Sequence, residues 1–208
     1  MGNARRFNPL RRRPETRTPK AKIIIYTEGK NTEPHYFEEM KRRYQSSLVD
    51  VEIIEASGVP LTIAKKATEA ARIARRRNIR DSFAASDEYW AVFDRDAHPN
   101  IPEARERCRN GRVSIAFSDP CFELWLTLHF QDFDKPVHRH DIQRHLQTIC
   151  KDYDPEGSKT MDYQKLMEFT VLAEQRAEKQ LKRRIQEGCP ISGPYTNVFE
   201  LTRRIRAL

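Results

Sequence analysis

Three acidic residues stand where an α/β sheet would expose chemistry. Glu28 follows the apolar run of residues 22–27 (KIIIYT), and Asp94 and Asp96 follow residues 88–93 (EYWAVF). Residues two apart in an extended segment point the same way, so Asp94 and Asp96 can present their carboxylates together. With Glu28 from a neighbouring strand, three carboxylates could converge. Three crowded anions are unfavourable unless a cation binds among them. Oxygen-only ligands select a hard ion such as Mg²⁺ or Mn²⁺, and such a site bridges phosphate oxygens and activates water. A lone D-x-D reads as ordinary polar residues at a strand end. A D-x-D joined by a Glu-Gly at a second strand end, each after an apolar lead-in, favours the metal reading.

Other residues nearby carry alternatives. Lys30, two residues after Glu28, can meet a phosphate or sit solvated in its turn. Gly29 would let backbone N–H groups approach an anion. Glu33 is expected to serve the start of its helix, where an acid favours the positive end of the dipole, with a metal role as the lesser alternative. Arg95, between the two aspartates, points to the opposite face and suits a structural ion pair. His98 can shuttle protons, touch substrate or remain solvated. Ser118 and Asp119 precede Pro120, which fits a first helical turn, so either could cap the helix that follows; Ser118 is also a candidate substrate contact. Glu123 is a charged residue within an apolar helix, so it either helps hold a second ion or lies on that helix's one wet face. His129 is expected in the core. His138, His140 and His145 lack a histidine partner four residues on and read as surface residues.

These groups need elements to position them. Strands are expected over residues 22–27, 51–56, 88–93 and 112–117. Helices are expected over about 61–80, 101–109, 121–130, 139–149, 163–186 and 197–207, with Thr32 and Glu33 opening a further helix whose first turn suits Pro34. Strands alternating with helices over residues 22–130 predict a parallel-rich α/β sheet, with functional groups at the carboxyl ends of its strands. Residues 131–208 form a helical C-terminal part, and residues 1–21 a flexible leader.

Composition narrows the class. The 208 residues hold 38 Lys+Arg and 30 Asp+Glu, a formal net charge of +8. Residues 1–22 carry eight basic residues and one acid, so +7 of that charge belongs to this N-terminal segment and only +1 to residues 23–208. A chain of this length buries about 70% of its unfolded surface and needs no disulfide or metal staple. No run approaches the ~18 apolar residues of a membrane span, and the basic N-terminus lacks the apolar region of a signal peptide. Cys108, Cys121, Cys150 and Cys189 form no C-x-x-C pair, which argues against a zinc site or a disulfide framework. A reduced, cytoplasmic protein is expected. The basic faces at Arg72, Arg75, Arg76 and Arg77, and at Lys182, Arg183 and Arg184, are weak nucleic-acid signals, because charge runs on helices are usually solvated.

Four blocks, in order, carry a resemblance: IIIYTEGKNTEPHYFEEM, WAVFDRD, SDPCFELWLTLHF and PYTNVFELTRRI. Over roughly residues 22–208 the chain resembles the RloB family, which is similar to the Toprim catalytic domain of topoisomerases, primases and OLD-type nucleases. The resemblance implies a Toprim-like sheet over about 22–130, with Glu28 in acid–base chemistry and Asp94 and Asp96 holding Mg²⁺. It also implies a phage-defence effector, often encoded beside an AAA-type ATPase partner, that cleaves nucleic acid: RNA, including tRNA, or DNA. Two alternatives remain open. One is a non-catalytic Toprim-like module of an ATPase complex; the other is a nucleotidyl-transferring Toprim enzyme, although no Walker A or G-x-G-x-x-G string is present. A homo-oligomer also remains open.

The leader has its own test. Removing residues 1–21 is expected to weaken substrate binding or make it more salt-sensitive, as a lost set of phosphate contacts would, while leaving the metal chemistry in place. Unchanged affinity in a salt titration would return the segment to a solubilising role.

Overall fold

A computed structural model of the chain describes residues 21–44, 46, 49–56, 58–78, 87–95, 98, 100–157, 159, 161–188 and 193–208. The expected leader up to residue 20 and Asp96 lie outside the described residues. Four parallel strands, β1 (Ala21–Thr27), β2 (Val49–Glu55), β3 (Glu88–Asp94) and β4 (Ser114–Asp119), are joined by α1 (Thr32–Arg43), α2 (Pro60–Asn78) and α3 (Ile101–Gly111). The helical part follows as α4 (Glu123–Phe130), α5 (Arg139–Ile149), α6 (Tyr163–Leu166), α7 (Thr170–Gln186) and α8 (Val198–Arg206). A two-residue strand, β5 (Tyr195–Thr196), adds antiparallel to β4, and the sheet order is β2-β1-β3-β4-β5. Among the described residues no helix is long and apolar enough to cross a membrane.

Alternation along the strands divides the core in two. Ile23 and Ile25 of β1, with Trp90 and Val92 of β3, face a cluster built with α1, α4, α5, α7 and α8. Ile24 and Tyr26, with Ala91 and Phe93, face the opposite cluster under α2 and α3. Both faces of β1 and β3 are therefore buried, which is why these strands read as continuous apolar runs. Chain direction across the sheet reverses between β1 and β3, because β2 lies on one side of β1 and β3 on the other. In open α/β sheets that switch point leaves a crevice beyond the strands' carboxyl ends.

Several boundaries differ from the sequence expectation for identifiable reasons. β4 starts at Ser114 rather than Arg112, because Arg112 closes α3 in the left-handed region (φ 52°) and its N–H bonds back to Arg109 and Cys108 carbonyls. α4 starts at Glu123 without a cap from Ser118 or Asp119; the Phe122 N–H donates instead to Asp94 Oδ2 at 3.0 Å. The single helix expected over 163–186 is interrupted by a 3-10 turn, Met167–Phe169, where the Thr170 hydroxyl donates to the Met167 carbonyl at 2.9 Å. β5 was not expected, since two residues show no periodicity.

Asn197, between β5 and α8, completes the edge of β4. Its Oδ1 accepts from the Phe117 N–H at 2.7 Å and its Nδ2 donates to the Ile115 carbonyl at 2.9 Å. Asn197→Ala would strand both groups, each worth about 1–3 kcal/mol when left unsatisfied. The expected loss is about 2–4 kcal/mol, read in calorimetry as a thermal midpoint roughly 5–15 °C lower.

Candidate metal and phosphate site

The switch point gathers acids from four elements. Glu28 lies just past β1, and its own N–H donates to the Val92 carbonyl of β3 at 3.2 Å. Its Oε2 accepts from the Asp94 N–H at 3.2 Å, and its Oε1 lies 3.3 Å from His98 Nε2. Asp94, the last residue of β3, is partly exposed as a residue, yet its Oδ1 is buried without a hydrogen-bond partner. Glu33 is 6% exposed in the first turn of α1, and its Oε1 accepts from the Gly29 N–H at 3.2 Å. Glu123, at the start of α4, is 5% exposed, and its Oε1 accepts from Gln143 Nε2 at 2.9 Å and Tyr153 Oη at 2.8 Å.

These four carboxylates line one cavity of about 220 Å³. Lys30, Arg139 and Lys159 supply its cationic lining. Lys159 adopts a left-handed backbone (φ 53°) that a non-glycine residue enters at a cost of about 1–3 kcal/mol. Its carbonyl is held there by the Thr32 hydroxyl at 3.2 Å. Gly29 leaves room for the acid: a Cβ at this position would overlap the Glu33 carboxyl group and displace it.

Crowding and burial shape the acids. Burial, then Glu33, Glu123 and Glu28 in turn, push Asp94 well above the usual carboxylate range. Burial is also the main cause that lifts Glu33 from 4.5 to about 7, with Glu123 and Glu28 adding repulsion. The Tyr153 hydroxyl is pushed up by burial and by Glu123, so it stays a donor to that carboxylate. The donor chemistry fits a hard divalent cation: all ligand atoms are oxygen, the charge is excessive, and Asp94 Oδ1 is buried and unpartnered. Among the described residues no three His, Cys, Asp or Glu side chains already stand as a metal-holding cluster.

Of the residues singled out in the sequence, Glu28, Asp94, Glu123 and Lys30 meet in this cavity, and His98 touches Glu28 from beside it. Asp96, the second acid of the D-x-D, lies outside the described residues. Ser118 does not line the cavity: it is 1% exposed, with its hydroxyl 3.1 Å from Thr196 Oγ1 in the sheet. Arg95 forms the expected ion pair, with Asp119 at 2.8 Å. His129 is in the core, 3.2 Å from Tyr36 Oη, and burial lowers its pKa to about 3. The main correction is Glu33, which belongs to the acidic cluster as well as to the helix start. The usable signal was its place in the first turn of α1, since helical side chains lean toward the N-terminus and so toward the strand end. Gln143, Tyr153, Arg139 and Lys159 gave no local signal.

Because Glu33 holds its proton more tightly when folded, folding takes up a proton as pH rises from 4.5 to about 7. Stability therefore falls through that window and stays reduced above it. In chelator at pH 8, Glu33→Gln is expected to stabilise the chain by about 1–3 kcal/mol, a gain that vanishes near pH 4. Identical melting midpoints for the two proteins at pH 8 would contradict the assigned burial cost.

A family model described as RloB-like protein matches residues 23–205. No curated protein and no solved structure matches the chain. The match spans the α/β sheet from Ile23 of β1 onward, with its acidic switch point, and the helical part that supplies Gln143, Tyr153 and Lys159, and the chain belongs to the RloB-like protein family.

Proposed function

We propose that this chain is a metal-dependent nuclease, a phosphodiesterase that acts on RNA or DNA as the effector of a prokaryotic anti-phage system. The observation that carries the reading is the convergence of Glu28, Glu33, Asp94 and Glu123 on one cation-lined cavity at the switch point of the sheet. Asp94, Glu33 and Glu123 would hold Mg²⁺ or Mn²⁺, with Asp96 as the further ligand expected from the D-x-D. When bound, the ion would offset charge developing on the scissile phosphate. The defence role and an AAA-type ATPase partner follow from the family resemblance and belong to the same proposal.

The chain's own residues divide the remaining work. Glu28 would accept the proton of the attacking water, and the contacts of its two oxygens with the Asp94 amide and His98 support that role. His98, 30% exposed at its side chain, can pass that proton onward to solvent. Gln143 and Tyr153 both donate to Glu123, which keeps it oriented. Lys30 and Lys159 meet the phosphates that flank the cleaved bond.

The test is Asp94→Asn in the purified full chain. Mg²⁺-dependent cleavage of single-stranded RNA and DNA is expected to drop on the order of 10²-fold or more. Mg²⁺ should raise the thermal midpoint of the unaltered chain more than that of the variant. Undiminished cleavage by the variant would overturn the assignment. Absence of any cleavage by the unaltered chain, with no Mg²⁺ effect on melting, would favour the non-catalytic partner module.

A further inference from the structure

A second cavity, of about 590 Å³, opens beside the acidic site between α3 and the β4–β5 edge. His98 joins the two: it lines this cleft and its Nε2 lies 3.3 Å from Glu28. The balance of charge shifts across that residue: the first cavity sets four carboxylates among Lys30, Arg139 and Lys159, whereas Arg95, Arg105 and Arg109 outnumber the acids of the second. The acids in this lining are Glu106 and Asp119, and Asp119 is already paired with Arg95 at 2.8 Å.

Arg105 is held in place from two sides. Its guanidinium lies 4.2 Å from the centroid of the Phe117 ring, and its Nη2 donates to Tyr195 Oη at 2.7 Å. Phe117 and Tyr195 are themselves packed at 5.7 Å between centroids. The guanidinium is thus held over an aromatic ring with one nitrogen anchored, so little side-chain entropy remains to be lost on binding. Ile101 and Pro102 give the cleft an apolar wall, and the exposed Arg109 lies one turn of α3 beyond Arg105. A planar cationic platform, an apolar wall and a nearby guanidinium match a nucleobase with its attached phosphate. The volume falls within the roughly 300–1,000 Å³ of small-ligand sites.

The geometry points to a subsite for one nucleotide of a single-stranded nucleic acid, its base stacked on Arg105 and its phosphate on Arg109, adjoining the phosphate at the acidic site. The strand must be single because bases within a duplex are stacked on each other and unavailable to a side-chain platform. The subsite rests on the nuclease reading for what it adjoins, but its occupancy can be measured without catalysis.

The experiment uses the full chain in chelator and 5′-fluorescein 12-nucleotide strands of mixed sequence, one RNA and one DNA, with fluorescence anisotropy as the readout. Arg109→Glu is expected to weaken binding about tenfold, and to lower the slope of log affinity against log salt by about 0.7. Arg105→Lys keeps the charge but removes the plane, and should weaken binding several-fold. Arg76→Glu, on the exposed face of α2, should stay within about twofold of the unaltered chain. Should Arg105→Lys fail to fold, Arg109→Glu at its exposed position still decides the matter. The proposal is overturned if the unaltered chain binds neither strand, if Arg109→Glu binds as well as the unaltered chain, if Arg76→Glu weakens binding as much as Arg109→Glu, or if the matching duplex binds more tightly. Scoring cleavage in Mg²⁺ alongside separates the two readings. Cleavage with undiminished strand binding by Arg109→Glu sinks the subsite alone, while Arg109-dependent binding without cleavage by the unaltered chain sinks the nuclease alone.

Discussion

The hydrogen bond from the Asp94 amide to Glu28 ties the carboxyl ends of β1 and β3 together at the point where the sheet reverses direction. Both strands are buried on both faces, so their ends cannot shift without disturbing two cores. That rigidity allows acids to be held close enough to repel. Burial and the neighbouring acids raise the pKa values of Asp94 and Glu33, the first through Glu33, Glu123 and Glu28 and the second through Glu123 and Glu28, a state that a flexible loop would relax by moving its side chains into water. Packing on the two faces of the sheet, supplied by α1, α4, α5, α7 and α8 on one side and by α2 and α3 on the other, offsets that cost.

Burial alone does not mark these acids as a site, and Glu174 of α7 makes the contrast. It is 2% exposed, deeper than Glu33 or Glu123, yet its Oε2 lies 2.7 Å from Arg206 and 3.6 Å from Arg203, and its Oε1 accepts from the Thr202 hydroxyl. A buried acid with paired arginines is a structural tie between α7 and α8. The hydrogen bonds described for Glu33, Asp94 and Glu123 come instead from neutral donors: the Gly29 and Phe122 amides, Gln143 and Tyr153. Neutral donors fix where a carboxylate points without cancelling its charge. Such acids remain able to attract a cation, which a full ion pair would prevent.

How much of this could be read from the chain alone varied with the distance over which each residue's neighbours are set. The apolar runs before Glu28 and Asp94 located β1 and β3 to within a residue, because a strand buried on both faces leaves no polar alternation to confuse with a loop. α5 matched its expected bounds, residues 139–149. The start of α4 did not, since its first amide is claimed by Asp94 from another strand rather than by a local cap. The same holds within the site. Glu28, Asp94 and Glu123 were legible as charges beside apolar blocks. Glu33 was assigned to a helix dipole because nothing local shows that its carboxyl turns back onto Gly29. Gln143 and Tyr153 reach Glu123 across 20 and 30 residues of chain, and only the packing of α5 and the segment after it against α4 puts them there.

The net charge of +8 says little about where a polyanion would be held. On α2, Arg72 is paired with Glu69, and Arg75 donates to the Gly111 carbonyl. On α7, Lys182 is paired with Glu178, and Arg183 and Arg184 share Asp134. Exposed pairs such as Arg72–Glu69 and Lys182–Glu178 contribute little to stability, but they lower the field that a basic helix face projects. Lys30 and Lys159 at the acidic cavity, and Arg105 and Arg109 in the adjoining cleft, are placed differently, because each lines a concavity where charge is focused. A phosphate approaching four carboxylates is repelled unless cations flank them, so in the proposed reading the chain separates the tasks. Guanidinium and ammonium groups draw the strand in from the sides, and the acids are left to the ion and the water at the centre.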